Sequence, residues 1–262
     1  MIYYVGKGNE KFAKASMDDV ISFCTKQSIL AVDTETSDLH PQLGKLLLVQ
    51  IGNFEDQYVI NAKEHDITIL KDILESKVLV FHNSKFDIRW FNKIGIYPYL
   101  YVRDTFLAES ILITDKKARR SYAVCCKKYL DITISKDERN LFKKEIINEK
   151  TIEYAARDVK YLLPLYEKQC ALITNNDLQA CFDLECSFAP VMAYIEDCGM
   201  FLNQKRWEEK IERDTSKLNF ALDKLDSLYF KYQKNTQTNL FGNSSMNWAS
   251  PQQVIRFFNE QG

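Results

Sequence analysis

The sequence lacks the marks that would take a chain out of the cytoplasm. Its start, MIYYVGKGNEKF, has no basic segment followed by a long apolar core, so no secretory signal is expected. No apolar run approaches the roughly 20 residues that span a bilayer, so no membrane partner is expected either. The seven cysteines include no CxxC pair and no His spacing of the zinc type. Reduced thiols in the cytoplasm, of a bacterium or of a phage-infected host cell, are the simplest account. A strong net charge is also missing: 35 basic residues face 36 acidic ones. No global field draws the chain to nucleic acid, and any such binding must come from local patches.

What is present is an ordinary globular composition, 46% apolar and 27% charged over 262 residues, enough for one large or two modest domains. Apolar runs at Ile2–Val5, Ile29–Val32, Lys45–Gly52, Gln57–Ile60 and Lys77–His82 read as strands, with a further short strand expected within Tyr97–Val102. Helical periodicity covers Asp18–Lys26, Ile67–Leu74, Asn83 to about Ile94, Asp104–Ile113, Tyr122–Leu130 and Thr151 to about Ile173. The first 175 residues therefore form a layered α/β domain, a mixed sheet flanked by helices. Residues 176–262 read as mainly helical. Leu184, Phe188, Val191 and Ile195 repeat at helical spacing, with Pro190 expected to kink the helix. Trp207 to Tyr229 marks a longer amphipathic helix, followed by a polar loop over 235–247. Ser250-Pro251-Gln252-Gln253 starts a last helix close to Gly262, which suggests a truncated or split chain.

The chemistry gathers on carboxylates. The strand Ile29–Val32 ends in Asp33-Thr34-Glu35, and alternation puts both acids on one face. Asn83 follows the Lys77–His82 run, and Asp87 comes one helical turn later. Tyr154 and Asp158 share a helix face, with small alanines between them. Asp104 reads as the N-cap of its helix. Four clustered acids repel one another without a cation, and with two divalent ions they form a site for in-line displacement at phosphorus.

These motifs resemble the DEDD superfamily of 3′–5′ exonucleases, tyrosine subgroup. The resemblance rests on Asp33-x-Glu35, on Asn83-x-x-x-Asp87 with aromatic Phe86, and on Tyr154-x-x-x-Asp158. Asp104-Thr105 matches a further helix start, and the fit covers about residues 25–175. The resemblance implies an RNase H-like (DnaQ-like) fold and a catalytic set of Asp33, Glu35, Asp87, Tyr154 and Asp158. Asp33, Glu35 and Asp158 would hold one divalent cation, Mg²⁺ or Mn²⁺. Asp33 would reach a second, with Asp87 bound to it directly or through water, and Tyr154 would orient the attacking water. Asp33–Leu39 is also similar to the first motif of the proofreading domain in family A DNA polymerases, the polymerase I type. Phe188–Met200 and Asn247–Gln253 resemble the start of that family's polymerase domain, without its later catalytic motifs.

The implied substrate is a single-stranded DNA 3′ end, which aromatic stacking and backbone contacts bind without sequence preference. Leu39 matches the family's wedge between the last two bases, with Thr36, His82, Asn83 and Phe86 beside it. Lys116, Lys117, Arg119, Arg120, Lys127 and Lys128 form the strongest basic cluster, and Lys85 and Arg89 lie nearer the site. The implied partner is a polymerase catalytic region, on the same chain or another. An RNA-trimming exonuclease, or a non-catalytic nucleic-acid-binding module, is the alternative.

Overall fold

The computed structural model describes residues 1–113, 115, 117–134, 139–232 and 246–261, without the side chains of Arg139, Asn140 and Gln261. The expected loop over 235–247 and Lys116 of the basic cluster fall wholly or largely outside the described residues. Two compact units result, Met1–Gly199 and Met200–Gly262.

The first unit is built on seven strands: β1 (Ile2–Val5), β2 (Ala13–Lys14), β3 (Ile29–Thr36), β4 (Leu46–Gly52), β5 (Gln57–Asn61), β6 (Val78–Phe81) and β7 (Val102–Asp104). Their order is β2-β1-β5-β4-β3-β6-β7. β3, β4 and β5 form an antiparallel meander, whereas β3–β6, β6–β7, β1–β5 and β1–β2 run parallel. The sheet is therefore mixed, and β3 lies where strand direction changes. Helices α1 (Met17–Lys26), α2 (Lys71–Ser76) and α3 (Ser84–Lys93) follow in chain order among the first strands. Then come α4 (Thr105–Leu112), α5 (Tyr122–Leu130), α6 (Arg139–Phe142), α7 (Glu149–Lys160), α8 (Leu162–Asn175) and α9 (Gln179–Cys198).

Alternation along β3 fixes what each face meets. Leu30 and Val32 enter the core that contains Phe23, Leu74 and Phe91 from α1, α2 and α3. Ala31 packs on the other face with Val159 and Leu162. Leu48 and Val59 pack there with Ile152, Ala155 and Ala156 of α7. The alanines let α7 lie close on the sheet, as small side chains allow.

Three boundaries differ from expectation. β3 continues to Thr36 because β4 pairs with it that far, so Asp33 and Glu35 lie within the strand rather than past its end. The strand expected within 97–102 is instead Val102–Asp104 in register with Leu79–Phe81. Pro98 has no N–H to give a ladder. The helix expected from Thr151 to Ile173 breaks at Tyr161 into α7 and α8. Pro164 cannot donate to the Lys160 carbonyl, so it sits in the first turn of a new helix, where no donor is needed. Helix α9 is assigned without interruption through Pro190.

Helix α9 belongs to the first compact unit, although residues 176 onward read as a separate segment in sequence. Arg89 Nε donates to Asp197 Oδ1 at 2.7 Å, Lys85 Nζ to Glu196 Oε1 at 2.6 Å, and Asn92 Nδ2 to Asp197 Oδ2 at 3.2 Å. Phe182, Cys186 and Ala193 are buried beneath it. The second unit contains α10 (Gln204–Tyr232) and α11 (Pro251–Gln261), joined through Tyr229, Trp248 and Phe257. Trp248 Nε1 donates to Asp226 Oδ1 at 2.7 Å. Pro251 begins α11, and the Gln253 N–H reaches Ser250 Oγ at 3.5 Å. No helix among the described residues is long and apolar enough to cross a membrane, and all seven cysteines are free thiols.

Candidate active site

A cavity of about 270 Å³ opens beside the C-terminal half of β3. Asp33 and Glu35 line it from the strand, and Asp158 joins them from α7. One carboxylate oxygen from each of the three lies within 4.8 Å of the others. Glu35 is buried, while Asp33 and Asp158 are half-buried. Three anionic oxygens this close repel one another unless a cation lies between them. An all-oxygen donor set of this kind suits a hard divalent ion such as Mg²⁺ or Mn²⁺.

Asp87 lines the same cavity from α3 but stands outside that trio. It is 2% exposed and accepts a hydrogen bond from Thr34 Oγ1 at 2.6 Å. Burial pushes its carboxyl up, to about 8, against the Thr34 hydrogen bond and with the nearby Asp104 charge adding to the rise. The native state thus keeps a proton that the unfolded chain gives up near pH 4. Stability without metal should therefore fall as pH rises from about 4 to about 8, because the native state binds more protons there. In Asp87→Asn this slope should flatten, and its thermal midpoint at pH 8 should exceed that of the wild type. Scans at several pH values in chelator measure it. A wild-type slope in the variant would assign the pH dependence elsewhere.

The corner that carries Asn83 is held by Asp104. Asn83 takes the left-handed backbone conformation (φ 74°) at the N-cap of α3 and makes no side-chain cap. Asp104, 2% exposed, does that work from β7. Its Oδ1 accepts from the Asn83 N–H at 2.9 Å and its Oδ2 from the Ser84 N–H at 2.7 Å. Ser84 Oγ donates to Oδ2 at 2.7 Å, and the Phe106 N–H at the start of α4 donates to Oδ1 at 2.8 Å. One carboxylate therefore caps two helices, as the sequence predicts for α4 alone.

Thr36, Leu39, His82, Asn83 and Phe86 all line the cavity. Leu39 is 71% exposed, on a loop drawn tight at Gly44, where a Cβ would meet Asp38 Cβ at 2.6 Å. His82 Nδ1 and Thr105 Oγ1 are 2.9 Å apart. Tyr154 lies one turn before Asp158 but is 4% exposed, with its ring 6.0 Å from Phe142, and it is not among the cavity-lining residues. Lys85 and Arg89, which the sequence places nearer the site than the basic cluster, pin α3 to α9. Lys127 pairs with Asp131, and Lys128 with the buried Glu109 at 2.9 Å. Of the described basic cluster, Lys117, Arg119 and Arg120 form no ion pair with a described residue.

The sequence reading missed three residues here. Tyr122 of α5 has its ring 5.5 Å from His82 and donates to the Arg157 carbonyl at 3.3 Å. Burial pushes its phenol well above the usual range, with Cys126 and Asp158 adding. Phe142, at the end of α6, and Lys143, in the turn after it, line the cavity. That turn is fastened by Glu145, whose backbone is left-handed (φ 53°) and whose carboxylate takes Lys45 at 2.9 Å and Lys63 at 2.8 Å. The two lysines hold its carboxyl down, to about 2. No periodicity or motif marks Lys143, because its position depends on lysines 80 and more residues away in the chain.

A mixed sheet with hard oxygen donors gathered beside its central strand defines the class of metal-dependent nucleases. A family model described as 3′–5′ exonuclease matches residues 12–169, more than half of the chain. The chain belongs to this 3′–5′ exonuclease family, of the DEDD type, whose enzymes use divalent metals. DNA polymerase I of Aquifex aeolicus is 26% identical over 227 residues, 78% of this chain and 37% of its own length. Ribonuclease D of Musicola paradisiaca is 30% identical over 159 residues, 57% of this chain and 40% of its own. The chain thus spans two-fifths or less of the curated relatives it matches. Among solved structures, Brucella melitensis NrnC superposes with a TM-score of 0.61 at 23% identity, covering 76% of this chain and 93% of that one. NrnC has also been solved with Mg²⁺ and with pGG, and its likeness establishes the RNase H-like fold.

Proposed function

We infer that the chain removes nucleotides from single-stranded DNA 3′ ends as the proofreading part of a family A DNA polymerase. The observation that carries this reading is the extent of the polymerase I match. It covers 227 residues and so runs past the exonuclease-family region at 12–169, whereas the Ribonuclease D match covers 159. In this reading residues 1–175 are the exonuclease domain and 176–262 the helical start of a polymerase domain. The catalytic region of that polymerase, on this chain or another, is the partner.

Asp33, Glu35 and Asp158 are the residues that hold a divalent ion, and Asp87 serves a second. Bound ions supply Lewis-acid chemistry, acidifying water and neutralising charge on the leaving oxygen. Tyr154 keeps α7 seated and orients water through its hydroxyl; a phenol with a free pKa near 10 is a poor full base. Leu39 and Phe86 take the terminal bases, while Thr36, His82 and Asn83 line the path of the sugar and phosphate. Lys143 supplies the cation for that phosphate, as no described carboxylate pairs with it. Lys143→Ala should weaken binding of a labelled single strand roughly tenfold, the value of one charged hydrogen bond. It should also lower the salt slope by about 0.7, with Mn²⁺ affinity unchanged. An unaltered slope in fluorescence anisotropy would remove Lys143 from the phosphate path.

A second reading, RNA trimming, draws on the 30% identity to Ribonuclease D. The test is digestion of 5′-labelled single-stranded DNA and matched RNA, with Mg²⁺ or Mn²⁺ and with chelator. A metal-dependent ladder shortening from the DNA 3′ end supports proofreading. RNA cut as fast or faster supports trimming. Cleavage of neither sinks both.

A further inference from the structure

Gln50 is fully buried at the middle of β4, and neither its amide nitrogen nor its amide oxygen has a hydrogen-bond partner in the protein. Such a group costs stability unless something repays it. Its position shows what repays it. Gln50 stands directly opposite Asp33 on β3 and Val59 on β5. Residues opposite one another in an antiparallel pair share a face, with Cβ atoms about 4.5–5.5 Å apart, well within reach of a glutamine amide. That face is the one covered by α7, since Val59 packs with Ile152 and Ala155. Along β4 its neighbours on the same face are Leu48 and Gly52. Of these four flanking residues, Asp33 alone carries polar side-chain atoms.

We propose that Gln50 is a positioning residue for Asp33. When a divalent ion occupies the site, its amide, unpartnered in the metal-free protein, turns to donate to the Asp33 carboxylate and fixes the rotamer in which that carboxylate, with Glu35 and Asp158, would hold the ion. A carboxylate that would hold an ion must keep its oxygens aimed, and a donor sealed from solvent beneath it would aim one without competition from water. Groups that orient metal-binding side chains are typically worth 10–100-fold in metal affinity. This inference rests on the reading of Asp33 as a metal-holding residue.

The test is Mn²⁺ titration of the chelator-treated protein by calorimetry, without nucleic acid, beside thermal scans of the same samples. Gln50→Met keeps the volume and removes the amide. Its metal-free thermal midpoint should equal or exceed that of the wild type, because an unpaired buried amide is gone. Its Mn²⁺ Kd should rise 10–100-fold. Gln50→Asn keeps the amide but withdraws it by one methylene, and its Kd should rise as well; it stands in if Gln50→Met does not fold. Asp33→Asn is the control for the underlying site. If Asp33→Asn loses Mn²⁺ while the folded Gln50 variant binds it like the wild type, the Gln50 proposal is overturned and the site stands. If Asp33→Asn binds Mn²⁺ normally, the site reading fails first.

Discussion

Asp158→Ala should lower the rate of 3′-end hydrolysis by roughly 10²–10⁴-fold while the protein stays folded. The carboxylate is one of three whose oxygens lie within 4.8 Å of one another, and it is the one delivered by α7 rather than by the sheet. Lewis-acid stabilisation is worth several kcal/mol, and each 1.36 kcal/mol is a factor of ten. The fold should tolerate the change. Asp158 is half-buried, and the contacts that seat α7 belong to Ile152, Tyr154, Ala155, Ala156 and Val159. Removing one of three mutually repelling charges should leave the metal-free protein as stable as before, or more so. Single-turnover digestion in saturating Mn²⁺ measures the rate, and a thermal scan in chelator measures the fold. Hydrolysis at the wild-type rate would refute the site assignment.

Asp104→Ala should destabilise the protein by about 3–5 kcal/mol, since it strips charged hydrogen bonds from several buried donors at once. The Asn83, Ser84 and Phe106 N–H groups and the Ser84 hydroxyl all lose their acceptor. For a unit of this size such a loss lowers the melting temperature by roughly 10 °C. Asp104→Asn keeps one acceptor oxygen and should cost about half as much. Activity at low temperature discriminates further. The corner Asn83–Ser84 presents Asn83 and Phe86 to the cavity, so binding of a single strand should weaken even where the variant is folded. A melting temperature within about 2 °C of the wild type would show that water replaces Asp104 at both helix starts.

The strands were legible as short continuous apolar runs, because β3 and β4 are buried on both faces. Asp33-x-Glu35 and Tyr154-x-x-x-Asp158 were legible because pairs within one element have fixed geometry. Asp104 could be read as the cap of α4, which is local, but not as the cap of α3, which starts twenty residues back, just after β6. Lys143 and Gln50 left no trace for the same reason. Lys143 owes its place to a turn clamped by Lys45 and Lys63, and Gln50 sits inside an apolar run whose tertiary register alone puts it opposite Asp33. The ion pairs of Lys85 and Arg89 were not legible either, because their partners, Glu196 and Asp197, arrive on a helix a hundred residues later. The trio also forms without Asp87, because Thr34 holds Asp87 from the opposite face of β3.

The carboxylate trio and the cavity-lining Lys143 are anchored unequally. β3 lies between β4 and β6 at the centre of the sheet, and its amides should exchange with solvent only when the whole unit unfolds. The turn that presents Lys143 hangs on ion pairs at the surface, which salt screens and which open one at a time. Local opening at that turn would therefore move Lys143 while the carboxylates stay in place.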